Sequence, residues 1–332
     1  MNLLLKIIEA ENLTKTYNGF AAVDGINFHI NRGEIFGFLG PNGAGKTTTI
    51  NMLTGLAHIT AGSVKLMEED YTRNARRAQA LMGIVTDESN LYEELDGREN
   101  LCFCGALYGM TKKEREERAD QLLEQFGLQE AASKPFKAYS KGMKRKLTIA
   151  AGLIHEPEIL FLDEPTTGID VAFARQIRNL ITDLHKKGTT IFLTTHYIEE
   201  AERLCERVAF IVQGNIVREG TVAELMQKTQ GENIINFTLG GDFSAVETEF
   251  RNSFPGYDIK SGKNSTVSIH SPASFTLLPL VKFFEERGLP VFEAKIVRPS
   301  LEEVFVNVTG IELQKMQTEQ PAKTGPNRKG SA

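Results

Sequence analysis

The clearest pattern along the chain is an alternation of short apolar runs with longer stretches of mixed polarity. The runs at 35–39, 159–162 and 191–195 are almost entirely apolar, as strands buried on both faces are. A helical pattern occupies 171–187, between the second and third of these runs. Strands that alternate with helices in this way predict an α/β fold with a mainly parallel sheet.

Two further patterns interrupt this alternation in the first half of the chain. Short β-type runs at 5–38, with a turn signal at Asn18-Gly19, predict a small antiparallel β subdomain. Residues from about 90 to 157 are mostly helical in pattern, and Thr111-Lys112-Lys113-Glu114 has the spacing of a capping box. We therefore expect a helical subdomain within the α/β domain.

The texture changes again near residue 231. Alternating runs at 234–239 and 266–270 and a helical pattern at 277–287 predict a small α+β C-terminal domain. The predicted organisation is a main domain at 1–228 and an accessory domain at 231–310. Residues 313–332, rich in Lys, Gln, Pro and Gly, are predicted to form a disordered tail.

Composition narrows the possible functions. The 332 residues suit one large domain with a smaller one, and 38 Lys and Arg against 43 Asp and Glu give a net charge of −5. This balance provides no overall positive field, so no nucleic-acid partner is expected. The 3 cysteines fit a reducing compartment. No apolar run approaches the ~18 residues that span a bilayer, so any membrane role is expected to require a partner.

A glycine-rich segment follows the first buried run and carries the strongest chemical signal. It matches G-x-x-x-x-G-K-[ST], in which backbone N–H groups surround phosphates, the lysine reaches the β and γ oxygens and the threonine ligates Mg²⁺. An ordinary glycine-rich turn that caps a helix is the alternative. The predicted nucleotide-binding residues here are Gly40, Pro41, Asn42, Gly43, Ala44, Gly45, Lys46, Thr47 and Thr48.

An acidic pair ends the second buried run. Asp163 and Glu164 stand at the carboxyl end of that strand, where ligands of open α/β sheets bind. Because adjacent strand residues point in opposite directions, Asp163 can face Mg²⁺ while Glu164 turns toward the water that attacks the γ-phosphate. A helix N-terminal acid pair before Pro165 is the alternative interpretation.

These motifs, in this order, resemble the ATP-binding subunits of ABC transporters over residues of about 7–228. The resemblance implies a P-loop ABC cassette that binds ATP and Mg²⁺ and hydrolyses ATP. The series that carries it comprises the phosphate loop, Asp87, Tyr139-Ser140-Lys141-Gly142-Met143, Asp163-Glu164, Asp170 and His196.

The resemblance also implies roles for single residues. Tyr17 would stack on adenine, Ser140 and Gly142 of one subunit would cap the γ-phosphate held by another, and His196 would contact that phosphate. Asp170 would belong to the nucleotide-binding set. From the residues alone, Tyr17 can instead pack the β subdomain, Ser140 can be a helix cap and His196 a core histidine.

Two positions depart from the common family pattern. Asp87 stands where a glutamine is usual; a carboxylate oxygen suits Mg²⁺, so we expect Asp87 to be a metal ligand beside Thr47 and Asp163. The alternative is that Asp87 is a solvated loop acid and that Glu88, or no residue of this loop, serves as the metal ligand. The signature at 139–143 and the segment Arg298 to Phe305 look like the drug-resistance type of exporter ATPase.

The leading hypothesis is an ATPase subunit that dimerises head to tail around MgATP and drives a separate multi-spanning membrane permease. Glu164 is the expected base, and Lys46 and His196 are expected to act on the phosphate. We expect a cytoplasmic protein, peripheral on the inner face of the membrane, that powers export of a drug, lipid or polysaccharide. A soluble ABC ATPase acting on nucleic acid or ribosomes, and a non-catalytic nucleotide-binding regulator, are the rivals.

Overall fold

The computed structural model describes residues 5–228, 233–261, 266–271, 276–297 and 300–311. In chain order its strands are β1 (Lys6–Tyr17), β2 (Phe20–Asn31), β3 (Ile35–Leu39), β4 (Ala61–Leu66), β5 (Glu69–Asp70), β6 (Met82–Val85), β7 (Ile159–Asp163), β8 (Thr190–Thr195), β9 (Arg207–Val212), β10 (Asn215–Thr221), β11 (Asn233–Leu239), β12 (Asp258–Ser261), β13 (Thr266–Ser271) and β14 (Val291–Val297). Its helices are α1 (Lys46–Leu53), α2 (Arg76–Gln79), α3 (Gly97–Leu107), α4 (Lys112–Gln125), α5 (Lys141–Gly152), α6 (Val171–Lys186), α7 (Ile198–Leu204), α8 (Val222–Lys228), α9 (Glu247–Ser253), α10 (Leu277–Glu286) and α11 (Leu301–Thr309).

The central sheet has the strand order β10-β9-β3-β8-β7-β6 and is parallel except for the antiparallel β10/β9 pair. Every residue of β3, β7 and β8 is buried, as their apolar runs predicted. Aromatic side chains pack across these strands. The centroid of the Phe192 ring lies 6.0 Å from that of Phe36 and 5.6 Å from that of Phe161. Since the strands are parallel, the carboxyl ends of β3, β7 and β8 lie side by side at one edge of the sheet.

A second, antiparallel sheet has the order β2-β1-β4-β5. Its first two strands lie in the region predicted from the sequence, but β4 and β5 were not predicted. Met67 and Glu68, which connect them, adopt left-handed φ values of 50° and 71°. Neither is a residue type that marks such a turn, so the hairpin has no local sequence signal.

The predicted helical region contains α3, α4 and α5. Capping boxes begin α3 and α4, formed by Asp96 with Glu99 and by Thr111 with Glu114. Helix α5 begins at Lys141, and the Ser140 hydroxyl oxygen caps it by accepting a hydrogen bond from Met143 N at 3.3 Å.

The described chain divides into two compact units, one of residues 5–222 with 305–311 and one of residues 223–304. Phe305 belongs with the first unit because its ring packs edge-on against Phe210, at 5.1 Å between centroids. The second unit has an antiparallel sheet of order β12-β13-β11-β14, and aromatic side chains of α9 and α10 form its core with β11. The predicted tail at 313–332 and the pair Arg298-Pro299 lie outside the described residues. Within the described part of the chain, no helix is long and apolar enough to cross a membrane.

Candidate functional site

The glycine-rich loop connects β3 to α1 and requires glycine at defined positions. A Cβ at Gly40 would lie 2.1 Å from the carbonyl oxygen of Ile211, so no other residue fits there. Gly43 and Gly45 adopt φ values of 78° and 108°, in the left-handed region that favours glycine. The loop therefore keeps its backbone close to β9 while its amides precede the N-terminus of α1, the arrangement that binds phosphates.

Lys46 is the first residue of α1, and its side chain is buried. Its ammonium donates hydrogen bonds to the carbonyl oxygens of Gly40, at 2.8 Å, and Pro41, at 3.2 Å. The same nitrogen lies 3.1 Å from Oε1 of Glu164 in an ion pair whose two side chains are 5% and 11% exposed. A positive charge is thus held under the loop and neutralised by a carboxylate from another strand.

Asp163 and Glu164 stand where β7 ends, and a backbone turn brings both side chains to the same edge. The Thr47 hydroxyl donates to Asp163 Oδ2 at 2.8 Å, and Thr194 on the neighbouring β8 donates to Oδ1 at 2.5 Å. Glu164 has a left-handed φ of 48°, and its N–H donates to the Thr194 hydroxyl oxygen at 3.1 Å. A non-glycine residue held in this conformation stores strain of about 1–3 kcal/mol, and such strain is concentrated at functional sites.

His196, immediately after β8, completes the cluster. Its Nδ1 lies 2.8 Å from Glu164 Oε2, and because a carboxylate only accepts, Nδ1 carries the proton. The Thr167 hydroxyl donates to the same oxygen at 3.0 Å. Burial by itself raises the pKa of Glu164, but the hydrogen bond from His196 and the charge of Lys46 outweigh it and lower this pKa to about 2. Glu164 is therefore ionised at neutral pH.

These groups open into a cleft of about 420 Å³. Residues predicted to bind phosphate and residues predicted to activate water line the same cleft. The lining residues are Ala22, Asn42, Gly43, Gly45, Lys46, Thr47, Thr48, Asp87, Glu164, Thr167 and His196. Ala22 and Thr167 were not predicted; Thr167 follows the acidic pair closely and could have been found from that position.

Asp87 lies on the loop after β6 and reaches the cleft with Thr47 and Glu164. Partial burial raises the pKa of Asp87; the Arg145 guanidinium lowers this pKa, and the Asp163 and Glu164 carboxylates raise it. Additional negative charge at this point is unfavourable unless a cation is present. The placement fits the predicted metal role, which stays a prediction.

Hard oxygen donors make the cleft suitable for Mg²⁺. The Thr47 hydroxyl and the Asp163 carboxylate are already adjacent, and Asp87 lines the same cleft. The described residues contain no group of three or more His, Cys, Asp or Glu that could hold a metal by themselves. Mg²⁺ normally uses one or two carboxylates together with substrate phosphates, so this donor set fits Mg²⁺ with a nucleotide.

The four predicted nucleotide-binding residues outside the phosphate loop, Tyr17, Ser140, Gly142 and Asp170, do not line this cleft. Tyr17, the last residue of β1, is 46% exposed, with Lys15 Nζ 4.7 Å from its ring centroid. Ser140 caps α5, and Asp170 caps α6 by accepting from Ala172 N and Phe173 N at 3.0 Å each.

Gly142 has a packing role within the chain. A Cβ there would lie 2.3 Å from the ring of Phe173, so glycine allows α5 to approach α6. Together with the caps formed by Ser140 and Asp170, this contact shows that the signature region has structural partners of its own. The binding roles of these residues remain predictions.

Arg145 is a site residue that the sequence interpretation missed. This buried side chain donates to four backbone carbonyls: Pro165 at 3.0 Å, Thr86 at 2.6 Å, Asp87 at 3.2 Å and Asp163 at 2.6 Å. It thereby joins α5 to the Asp87 loop and to the end of β7. The available signal was an arginine three residues after Gly142, on the same buried face of α5.

Comparisons with known proteins point to one family. A family model described as ABC transporter matches residues 23–167. The linearmycin resistance ATP-binding protein of Bacillus subtilis is 35% identical over 309 residues, 92% of this chain and 98% of that protein. The daunorubicin/doxorubicin resistance ATP-binding protein of Streptomyces peucetius is 35% identical over 96% of this chain and 97% of its own length. A Nod factor export ATP-binding protein of Paraburkholderia xenovorans is 41% identical over 73% of this chain and 79% of that protein.

Solved structures agree with these sequence matches. The structure of an ATP-binding subunit of an ABC transporter superposes with a TM-score of 0.61 at 28% identity, covering 67% of this chain and 92% of that one. A dimeric post-hydrolysis state of an ATP-binding cassette, bound to ADP and Pi, gives a TM-score of 0.60 at 27% identity over 64% of this chain and 98% of that one. The fold class predicted from the sequence is confirmed.

Proposed function

This chain belongs to the family of ABC transporter ATP-binding proteins, and on that premise we propose that it powers export through a separate membrane permease. Its activity is the hydrolysis of ATP to ADP and phosphate. The observation that carries the proposal is the buried group of Lys46, Glu164 and His196 at the carboxyl ends of three neighbouring strands. The resistance and export names of the relatives support the direction of transport.

Lys46 has a buried positive charge that pairs with Glu164, and ATP binding can move this charge into contact with the phosphates. Its ammonium and the loop amides would neutralise the β- and γ-phosphates, while Thr47 and Asp163, with Asp87, would hold Mg²⁺. When bound, Mg²⁺ supplies positive charge that offsets the charge developing on the transferred phosphoryl group. The remaining work of the chain is to position the triphosphate and a water molecule.

Glu164 is the proposed base, and its contacts explain how it becomes effective. A pKa of about 2, as in the ion pair with Lys46, makes a carboxylate a poor base at neutral pH. Movement of the Lys46 charge onto phosphate removes one of the two contacts that lower the pKa of Glu164. The carboxylate then gains basicity while His196 still holds its Oε2 and orients it.

A second copy of the chain is the proposed source of the missing signature contacts. Ser140 is exposed at the start of α5, and its capping bond uses only a lone pair of the hydroxyl oxygen. The O–H group is still available to donate to a phosphate. Similarity to a dimeric cassette supports head-to-tail pairing around MgATP.

An apolar groove is the proposed docking surface for the permease. It encloses about 480 Å³ between the central sheet and the helical region. Exposed large apolar residues gather along it: Leu56, Tyr92, Phe103, Leu107 and Tyr108. Thr86 also lines the groove, and its carbonyl accepts from Arg145, which binds the end of β7. Arg145 therefore connects a residue of the groove to the end of β7.

The partner distinguishes export from the rival function on nucleic acid or ribosomes. We propose placement at the inner face of the membrane, bound to a multi-spanning permease. The net charge of −5 provides no support for a nucleic-acid partner.

The test is affinity isolation of the full chain from detergent-solubilised membranes, with identification of the bound proteins. Leu107→Arg, which places a charge at a 71% exposed groove position, should abolish recovery of a multi-spanning protein but leave ATP binding intact. Leu278→Arg, at a 62% exposed position on α10, is the matched control. Recovery of ribosomes or DNA, equal for both variants, would favour the rival function.

A further inference from the structure

Among the described residues, the sheet of the second unit ends in β12 on one side and β14 on the other, and the two strands differ in length and in the exposure of their apolar side chains. On one edge, β12 is four residues long, carries Asp258 and Lys260, and buries its apolar residue Ile259. On the other edge, β14 is seven residues long and exposes Phe292 (72%) and Ile296 (55%). Both edge strands carry charges, which natural proteins use to protect exposed edges, but only β12 is also short. A long edge with exposed apolar side chains indicates a partner.

A bulge in β14 adds to the exposure of its apolar side chains. Thr238 of β11 pairs with Glu293, but the next residue, Leu239, pairs with Val291, so Phe292 is the extra residue on β14. A bulge locally redirects a side chain and bends the strand. The Phe292 ring consequently projects from the sheet instead of joining the aromatic core formed with α9 and α10.

The sequence of this edge is complementary to itself. If two β14 strands run antiparallel with Ala294 opposite Ala294 of a second copy, Glu293 stands opposite Lys295 and Phe292 opposite Ile296. Two-fold symmetry repeats both pairs, which gives two opposite-charge pairs and two apolar pairs. Cross-strand pairs of both kinds stabilise antiparallel sheets, and like charges directly opposite destabilise them.

We propose that β14 joins the second units of two copies of this chain into one continuous sheet, without need of nucleotide. The occupant is a second copy because one register satisfies the charged and the apolar positions together. This contact goes beyond the proposed ATP-dependent pairing of phosphate loop and signature. It would keep two chains together between cycles of hydrolysis.

The test is self-association of the full chain measured by sedimentation equilibrium without nucleotide and with EDTA. The wild type should dimerise. Lys295→Glu, which places Glu293 against a glutamate in both pairs, should weaken the dimer about tenfold or more. Glu293→Lys should weaken it similarly. The double exchange Glu293→Lys with Lys295→Glu should restore wild-type association.

Mixing provides a second test of the register. The two single variants, each poor at self-association, should form a mixed dimer because one supplies two lysines and the other two glutamates. Lys260→Glu on β12 is the matched control and should leave association unchanged. Ile296→Lys should weaken the dimer through the apolar pair, and circular dichroism melting verifies that each variant is folded.

Several results would overturn the proposal. A wild-type chain that stays monomeric without nucleotide removes the contact. Single variants that associate like the wild type, or a double exchange that fails to restore association, exclude this register. None of these results touches ATP hydrolysis or permease binding, so the proposed function is tested separately.

Discussion

The two parts of the predicted nucleotide site differ in burial and in whether their residues are bonded to one another within one chain. Around the phosphate loop, Lys46, Glu164 and His196 are buried and bonded to one another within one chain. In the signature region, Ser140 is exposed, and the contacts that it makes are those of a helix cap. One part is assembled within a single chain. The other is an exposed surface, and the phosphate that it is predicted to contact would be bound by a second copy of the chain.

A motif of this kind can have structural contacts within its own chain in addition to its predicted binding role. Gly142 is required by the Phe173 ring, and Asp170 is required by the N-terminus of α6. These uses hold the signature region in place, and they leave the Ser140 O–H group available. Experiments that separate the two uses must therefore keep the helix caps intact.

The largest effect is expected at the assembled part. Glu164→Gln should still bind ATP but should lower the hydrolysis rate by about 10²–10⁴-fold, the usual contribution of a general base. The amide keeps the shape of the side chain and removes the basic oxygen charge. Phosphate release under single-turnover conditions measures the step directly. A rate close to that of the wild type would remove Glu164 from the role of base.

Lys46→Ala should weaken ATP binding about a hundredfold, because a buried cation that meets the triphosphate is lost and the negative charge of Glu164 is no longer neutralised by an ion pair with lysine. Isothermal titration calorimetry measures the affinity. Lys112→Ala, at a side chain that is 79% exposed on α4, is the control and should bind like the wild type. Equal affinity in both variants would contradict the assignment of the loop lysine.

Ser140→Asp tests the surface part while preserving its structural use. Aspartate caps helices as well as serine does, but its charge would repel a γ-phosphate, so ATPase activity should fall about tenfold or more with unchanged thermal stability. Ser140→Asn is the matched neutral cap and should keep more activity. Equal ATPase activity of the two variants would contradict the prediction that a phosphate binds near Ser140.

A mixing experiment sharpens the same prediction. The Lys46→Ala and Ser140→Asp proteins should each have little ATPase activity alone, but in a mixed dimer one intact phosphate loop meets one intact signature. With random pairing, about a quarter of the wild-type activity should return. No recovery on mixing would mean that the two parts do not meet between copies.

The smallest effect is expected for Asp87, on the boundary of the assembled part. Asp87→Ala should raise the Mg²⁺ concentration for half-maximal ATPase a few-fold, since one oxygen donor is lost while Thr47 and Asp163 remain. Asp87→Gln, the usual family residue, is the control and should restore a neutral oxygen donor. Unchanged Mg²⁺ dependence in Asp87→Ala would leave Asp87 as a solvated loop acid.

Features that depend on neighbours along the chain could be predicted from the amino-acid sequence alone. The strand, loop and helix around Lys46, the capping box at Thr111 and the acidic pair that ends β7 follow from local sterics, propensity and hydrogen bonding. The series of motifs was sufficient to identify the family, which the comparisons confirmed.

Which distant residues are in contact depends on the tertiary structure. The ion pair of Lys46 with Glu164, the four carbonyls held by Arg145 and the exposed edge of β14 depend on strand order and on how elements pack. Periodicity shows that a strand is buried or exposed, but it does not specify the strand beside it. Contacts between residues far apart along the chain are therefore fixed by the fold and not by any local pattern.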